Sequence, residues 1–180
     1  MPAEQAKALF HCVREMLHDV QLEVRLGAAS TLSGMLRCSP VELRDSMVRD
    51  LKKHFTSLLL KNPLPKKAKG GNAASNAASA ASATSGTSTP TQEQNRLVLT
   101  RHAAVLGLGA LVQAFPYASP PPEWLPEALA TLAGRAASDP GAVGKSVKNV
   151  LSDFKKTRQD TWHVDVKVSL LCTSLLMTIC

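Results

Sequence analysis

Apolar residues recur at steps of three and four along most of this chain, and one helical phrase is written twice. Arg25-Leu-Gly-Ala-Ala-Ser-Thr-Leu-Ser-Gly-Met-Leu36 is echoed by Arg101-His-Ala-Ala-Val-Leu-Gly-Leu-Gly-Ala-Leu-Val112. Around these phrases Val24, Ala28, Leu32 and Met35 match Thr100, Ala104, Leu108 and Leu111, and a looser third set is Val143, Val147, Leu151 and Phe154. Such spacing places each set on one helical face. Leu9, Phe10, Val13 and Leu17 predict a further helix over about residues 4–18. Leu43, Met47, Leu51, Phe55 and Leu58 predict another, restarted at Ser39-Pro40 and stopped before Asn62-Pro63; proline is favoured in a first helical turn. The pattern continues with helices over 92–115, closed by Pro116, over 123–137 with Trp124, Leu125, Leu129 and Leu132, and over 143–157 after Asp139-Pro140. Six helices in antiparallel pairs and no strand signal make the chain all-α. The apolar tail 163–180 alternates like a strand at its start, but its end reads as a final helix that packs onto Leu151 and Phe154.

The repeated phrases lie 76 and 43 residues apart. Setting aside a low-complexity stretch at 62–91 shortens the first offset to 46, so both fall within the roughly 40–47 residues of HEAT and armadillo units. The expected architecture is a HEAT/armadillo-like α-solenoid fragment of about three helix pairs. Small residues crowd the repeated helices: Gly27, Ala28 and Ala29 in the first, Ala103, Ala104, Gly107, Gly109 and Ala110 in the second. A glycine inside a helix costs about 1 kcal/mol relative to alanine, and close approach of neighbouring helices offsets it most simply. Gly107-Leu-Gly109 also opens like a dinucleotide fingerprint, but it lacks the third glycine and a preceding strand.

Composition divides the chain into helices 1–61, an insert 62–91, helices 92–162 and the tail 163–180. Residues 70–90 are almost entirely Gly, Asn, Ala, Ser and Thr, with nothing to offset the entropy of ordering, so a disordered insert is expected. Aromatic residues make up 4% of the 180, sparse for a self-contained domain but suited to stacked Leu/Ala helices. An isolated piece of solenoid lacks end caps, and the first helix is expected to expose an apolar face around Leu9, Phe10 and Val13.

The net charge is +7, and its distribution carries more than its size. Lys66, Lys67 and Lys69 border the insert, while Lys145, Lys148, Lys155, Lys156 and Arg158 decorate the last helix. Those five read either as a solvated helix face, cations suiting a helix C-terminus, or as a face for an acidic partner. Aromatic and basic residues do not alternate as a base-stacking surface requires, so nucleic acid is not the favoured partner. The four cysteines, 12, 38, 172 and 180, form no CxxC pair, and the five histidines no metal-like cluster; free thiols and no metal or other cofactor are expected. His102 lies beside an apolar helical face, where a histidine is more often packed or partly exposed than a ligand. The tail carries Asp165 and Lys167 and is too short to span a bilayer, and no membrane partner is expected. No nucleophile–base pair or phosphate loop is legible, and the chain reads as a non-enzyme.

Several stretches together resemble the C-terminal region of the large HEAT-repeat proteasome activators, the proteasome activator complex subunit 4 family. They are Gln21-Leu-Glu-Val-Arg25, Ala29-Ser-Thr-Leu-Ser-Gly-Met-Leu36, Leu64-Pro-Lys-Lys67, Arg101-His-Ala-Ala-Val-Leu-Gly-Leu-Gly109, Pro116-Tyr117, Trp124-Leu-Pro126 and Val147-Lys-Asn-Val-Leu-Ser-Asp-Phe154, ending near Asp160-Thr-Trp162. Apart from the insert, the resemblance covers about residues 9–162 and stops at His163. It implies a curved solenoid that caps the 20S proteasome, binding its α-ring without ATP, with the rest of its own solenoid as the other partner. It also implies residence in nucleus and cytoplasm, with Lys66, Lys67 and Lys69 standing where the family carries a nuclear-targeting cluster; here the cluster is shorter and diluted by Ala68, and a solvated loop that keeps the insert soluble is the other reading. Members end in a hydrophobic–tyrosine–any-residue tail that helps open the gate, whereas this sequence ends Met177-Thr-Ile-Cys180; direct gate opening is not expected of it. Ser39-Pro40 stands where the family's acetyl-lysine-reading region has Asn-Phe, so acetyl-histone recognition does not carry over. The other reading of the residues is a generic HEAT scaffold or adaptor for a protein partner.

Overall fold

The computed structural model describes residues 3–63 and 90–160, with the side chains of residues 3, 90 and 91 left aside. Six helices follow in order: α1 Ala3–Met16, α2 Leu22–Cys38, α3 Val41–Lys61, α4 Pro90–Ala114, α5 Leu125–Arg135 and α6 Ala142–Thr157. The breaks fall where the chain cannot continue a helix. Pro40 precedes α3, Asn62-Pro63 follows it, and Pro116 and Pro140 lie beyond α4 and α5. Each proline lacks an N–H and crowds the preceding turn. Among the described residues there is no strand.

The helices pair as three hairpins, α1/α2, α3/α4 and α5/α6. The even-numbered helices stack side by side, α4 lying between α2 and α6. Helices α3 and α5 pack against each other and against α4 from the other layer. This is why the repeated phrase recurs on even helices: each presents the same small and aliphatic face to its neighbours. Ala28 and Leu32 of α2, Ala104, Leu108 and Leu111 of α4, and Val143, Val147 and Leu151 of α6 are all buried.

Helix α4 has no solvent side along the run that opens its second half. Every residue from Arg101 to Val112 is buried, so it is apolar all round rather than amphipathic, as a central helix should be. By length and composition alone residues 92–114 could cross a bilayer, but here neighbouring helices supply the apolar surroundings. Two glycines make that enclosure possible. A Cβ on Gly107 would lie 2.3 Å from the Phe55 ring of α3, and one on Gly109 would lie 2.7 Å from Val150 of α6. Gly27 does not fit that account: a Cβ there would meet nothing within 4 Å, and the same holds for Gly34.

The first hairpin also corrects an expectation. Phe10 and Val13 do not form an exposed face; with Ala6 and Leu17 they are buried, at the 3- and 4-residue spacing by which α1 packs against α2. Leu9, 46% exposed, and Met16 remain on the surface. The insert beyond Pro63, the tail from Thr161 and the helix expected within it lie outside the described residues.

Candidate functional site

The chain's chemistry lies in a buried polar seam and in two surface features. The seam begins with the arginines that open the repeated phrase. A helix leaves its last carbonyls without intrahelical partners, and arginine's five donors can satisfy several at once. Arg25 Nη1 donates to the carbonyl oxygens of Asp19 (2.7 Å) and Val20 (3.0 Å), which closes the α1–α2 turn. Arg101 makes the larger clasp. Its Nη1 donates to the carbonyls of Leu59 (3.3 Å) and Asn62 (2.5 Å) at the end of α3, and its Nη2 to that of Arg135 (2.6 Å) at the end of α5. Its Nε donates to Asp139 Oδ2 at 2.7 Å, an ion pair whose side chains are only 3% and 8% exposed. One side chain thus ties together α3, α4, α5 and the α5–α6 turn.

The first seam is completed by a histidine. Arg25 Nε donates to His102 Nδ1 at 3.1 Å, and His102 Nε2 lies 2.9 Å from Ser146 Oγ. The guanidinium can only donate, so Nδ1 must accept, and the ring proton sits on Nε2, which donates to Ser146. Helices α2, α4 and α6 are joined by this relay. Burial, reinforced by the positive charge of Arg25, lowers the His102 pKa to about 4, so the ring is neutral at ordinary pH.

A serine within hydrogen-bonding distance of a histidine invites comparison with a nucleophile and its base, and this pair is not legible in the sequence because the two residues are 44 apart. The orientation is the reverse of a catalytic one. A hydrolytic histidine donates from one nitrogen to a carboxylate and keeps the other lone pair for the nucleophile. Here Arg25 occupies the only lone pair, and His102 is 1% exposed. The relay is built to hold helices together. Among the described residues no group of three or more His, Cys, Asp or Glu could hold a metal.

On the surface, Lys145, Lys148, Lys155 and Lys156 are all exposed on the side of α6 opposite its buried Val143, Val147, Val150 and Leu151. Arg158, grouped with them by sequence, is not on that face: it is 4% exposed and its Nη2 donates to the Ala118 carbonyl. Lys66, Lys67 and Lys69 lie outside the described residues. Ser39 and Pro40 form the α2–α3 corner, where Ser39 Oγ donates to the Met35 carbonyl at 2.7 Å. Beside that corner a groove of about 760 Å³ runs between α1 and α3, with Phe10, Met35 and Leu43 in its lining and Lys7, Glu42 and Ser46 among its polar groups. Cys12 and Cys38 are free, exposed thiols.

Three stacked hairpins, an enclosed central helix and arginine clasps between successive pairs define an α-solenoid of HEAT-like repeats. Residues 98–169 match the family described as proteasome activator complex subunit 4-like, C-terminal. The chain is 36% identical over 151 residues to human proteasome activator complex subunit 4, which spans 84% of this chain and 7% of that protein. It is 42% identical over 78 residues to proteasome activator BLM10 of Saccharomyces cerevisiae, 43% of this chain and 4% of that one. With Arabidopsis thaliana proteasome activator subunit 4 the identity is 29% over 161 residues, 89% of this chain and 7% of the other. The chain belongs to the proteasome activator complex subunit 4 family and corresponds to its C-terminal region. The family match to residue 169 also runs past Trp162, where the resemblance was expected to end.

Proposed function

We propose that this chain is a non-catalytic binding module of a proteasome activator, which docks on the α-ring of the 20S core particle without ATP as part of a longer solenoid. The observation that carries the reading is the agreement of residues 98–169 with the C-terminal region of proteins named as proteasome activators. Those residues include the enclosed part of α4 with Arg101 and His102, whose clasps hold the hairpins together. The one serine–histidine pair in the described fold is spent on packing, which supports a regulator rather than a catalyst. By resemblance it resides in nucleus and cytoplasm, with Lys66, Lys67 and Lys69 as the targeting cluster.

The test is capture of purified 20S core particle by this chain, with a fluorogenic-peptide assay alongside. Capture is the expected result, by this chain and by a form whose residues after Trp162 are replaced by an ending with the activator tyrosine, and the peptide assay reads whether either form stimulates. No capture by either form would overturn the reading for this chain. A scaffold for a different protein partner is the second reading, and the open α1–α3 groove is the observation that favours it.

A further inference from the structure

Five of the six helices obey one electrostatic rule, and the sixth breaks it. A helix N-terminus carries a partial positive charge and favours carboxylates. Helices α1 to α5 each have a glutamate in their first turn: Glu4, Glu23, Glu42, Glu93 and Glu127. Helix α6 has none, and its first ionisable residue is Lys145. Lys148 follows one turn later. Lys155 and Lys156, in the last turn, suit the dipole; the first two do not.

The rest of the surface keeps its charges mixed. Lys7 pairs with Glu4, Arg14 with Glu15, Arg44 with Asp45, and Lys52 with Glu127 across two helices. The exposed face of α6 has four lysines and one carboxylate, Asp153, 4.0 Å from Lys156. At 1.5 Å per residue the lysines extend over about 16 Å of helix. Lys145 set against the helix's own field, within a run of cations that carries only one carboxylate, costs stability without a packing return, and local rules broken in this way mark functional surfaces.

We infer that the lysine face of α6 is the surface by which this module docks on an acidic protein surface. Asp153 would repel a continuous phosphate track, whereas a protein can set a donor opposite it, and lysines without arginine forks or aromatic platforms suit point-charge pairing rather than base readout. The inference rests on the proposed function in one respect, that the acidic surface belongs to the proteasome core particle.

The experiment measures binding of immobilised 20S core particle across a salt series by four full chains. They are the unaltered protein, K145E/K148E/K155E/K156E, the milder K145Q/K148Q/K155Q/K156Q, and R37E/R49E/K53E/R96E, which changes net charge equally at other exposed sites. The α6 reversal is expected to weaken binding at low salt by about tenfold or more and to flatten its salt dependence. The glutamine form falls between, and the control reversal stays within about threefold. Helical content by circular dichroism checks that the fold survives. Equal losses in both reversals, or an unchanged affinity and salt slope in the α6 variants, would overturn the inference. If the unaltered chain does not bind the core particle, the functional reading fails by itself. Poly-L-glutamate then replaces the particle as probe: loss confined to the α6 variants supports the docking face, and loss shared with the control overturns it.

Discussion

The two copies of the repeated phrase have met different fates. In α4 all twelve residues from Arg101 to Val112 are buried; in α2 only Arg25, Ala28, Ala29, Leu32, Ser33 and Leu36 are. Helix α4 has a stacked neighbour on either side, whereas among the described residues α2 has one on the α4 side only. The arginine at the head of each copy diverges in the same way. Arg101 meets a buried carboxylate and three carbonyls, while Arg25 meets a neutral imidazole and two carbonyls. In a solenoid, therefore, a repeated word takes its meaning from how many neighbours surround it.

The sharpest way to break this comparison is to remove the arginines one at a time. Arg101→Leu leaves Asp139 buried without its counter-charge, together with orphaned carbonyls at two helix ends, and is expected to cost about 3–5 kcal/mol. Arg25→Leu leaves a neutral ring and part-exposed carbonyls that water can reach, and is expected to cost about 1–3 kcal/mol. Urea denaturation of both variants checks the order; equal losses would mean that the carboxylate adds nothing to the second clasp.

Acid separates the seams differently. The folded-state pKa of His102, about 4, lies below the ordinary 6.5, so the unfolded chain takes up the proton first. The stability contributed by the neutral ring is whole above pH 6.5 and drains away as pH falls towards 4, a total of about 3 kcal/mol. Below that range an N–H on Nδ1 would face the Arg25 donor, and the α2–α4 link would be lost. Denaturation midpoints measured from pH 7 to pH 4 should fall steeply for the natural chain and far less for His102→Gln.

The smallest effect has opposite signs in the two copies. Gly107→Ala drives a methyl group into the Phe55 ring and is expected to destabilise by about 1–3 kcal/mol. Gly27→Ala enters open space and is expected to stabilise by about 0.5–1 kcal/mol. Thermal melts of the pair read both signs at once, and a destabilised Gly27 variant would mean that α2 is covered there rather than open.

Much of this fold was legible in the sequence, and the reasons can be placed residue by residue. Prolines and the 3–4 spacing located all six helices to within two residues at nearly every end, because those signals are local. Side-chain direction was legible only in part. Phe10 and Val13 turn inward onto α2, and Gly27, in a phrase that reads as close-packed, faces outward because no helix covers it there. The polar seam was not legible at all: Arg25 and His102 are 77 residues apart, and nothing in either neighbourhood announces the other. Arg158 followed the same logic, since a carbonyl 40 residues away in a loop decides its burial. The lysines of α6 were visible as a charged group, but their departure from the other helices emerged only once the first turns could be compared.

The Arg101 clasp also makes the molecule editable. Its bond to the Asn62 carbonyl holds the last residues of α3 against α4 before the chain sets out on residues 64–89, so the junction does not depend on what those residues are. A fluorescent reporter or an affinity handle spliced in after Pro63 would therefore leave the three hairpins in register, and the site serves as a port through which the chain can be tagged without touching α1 or α6.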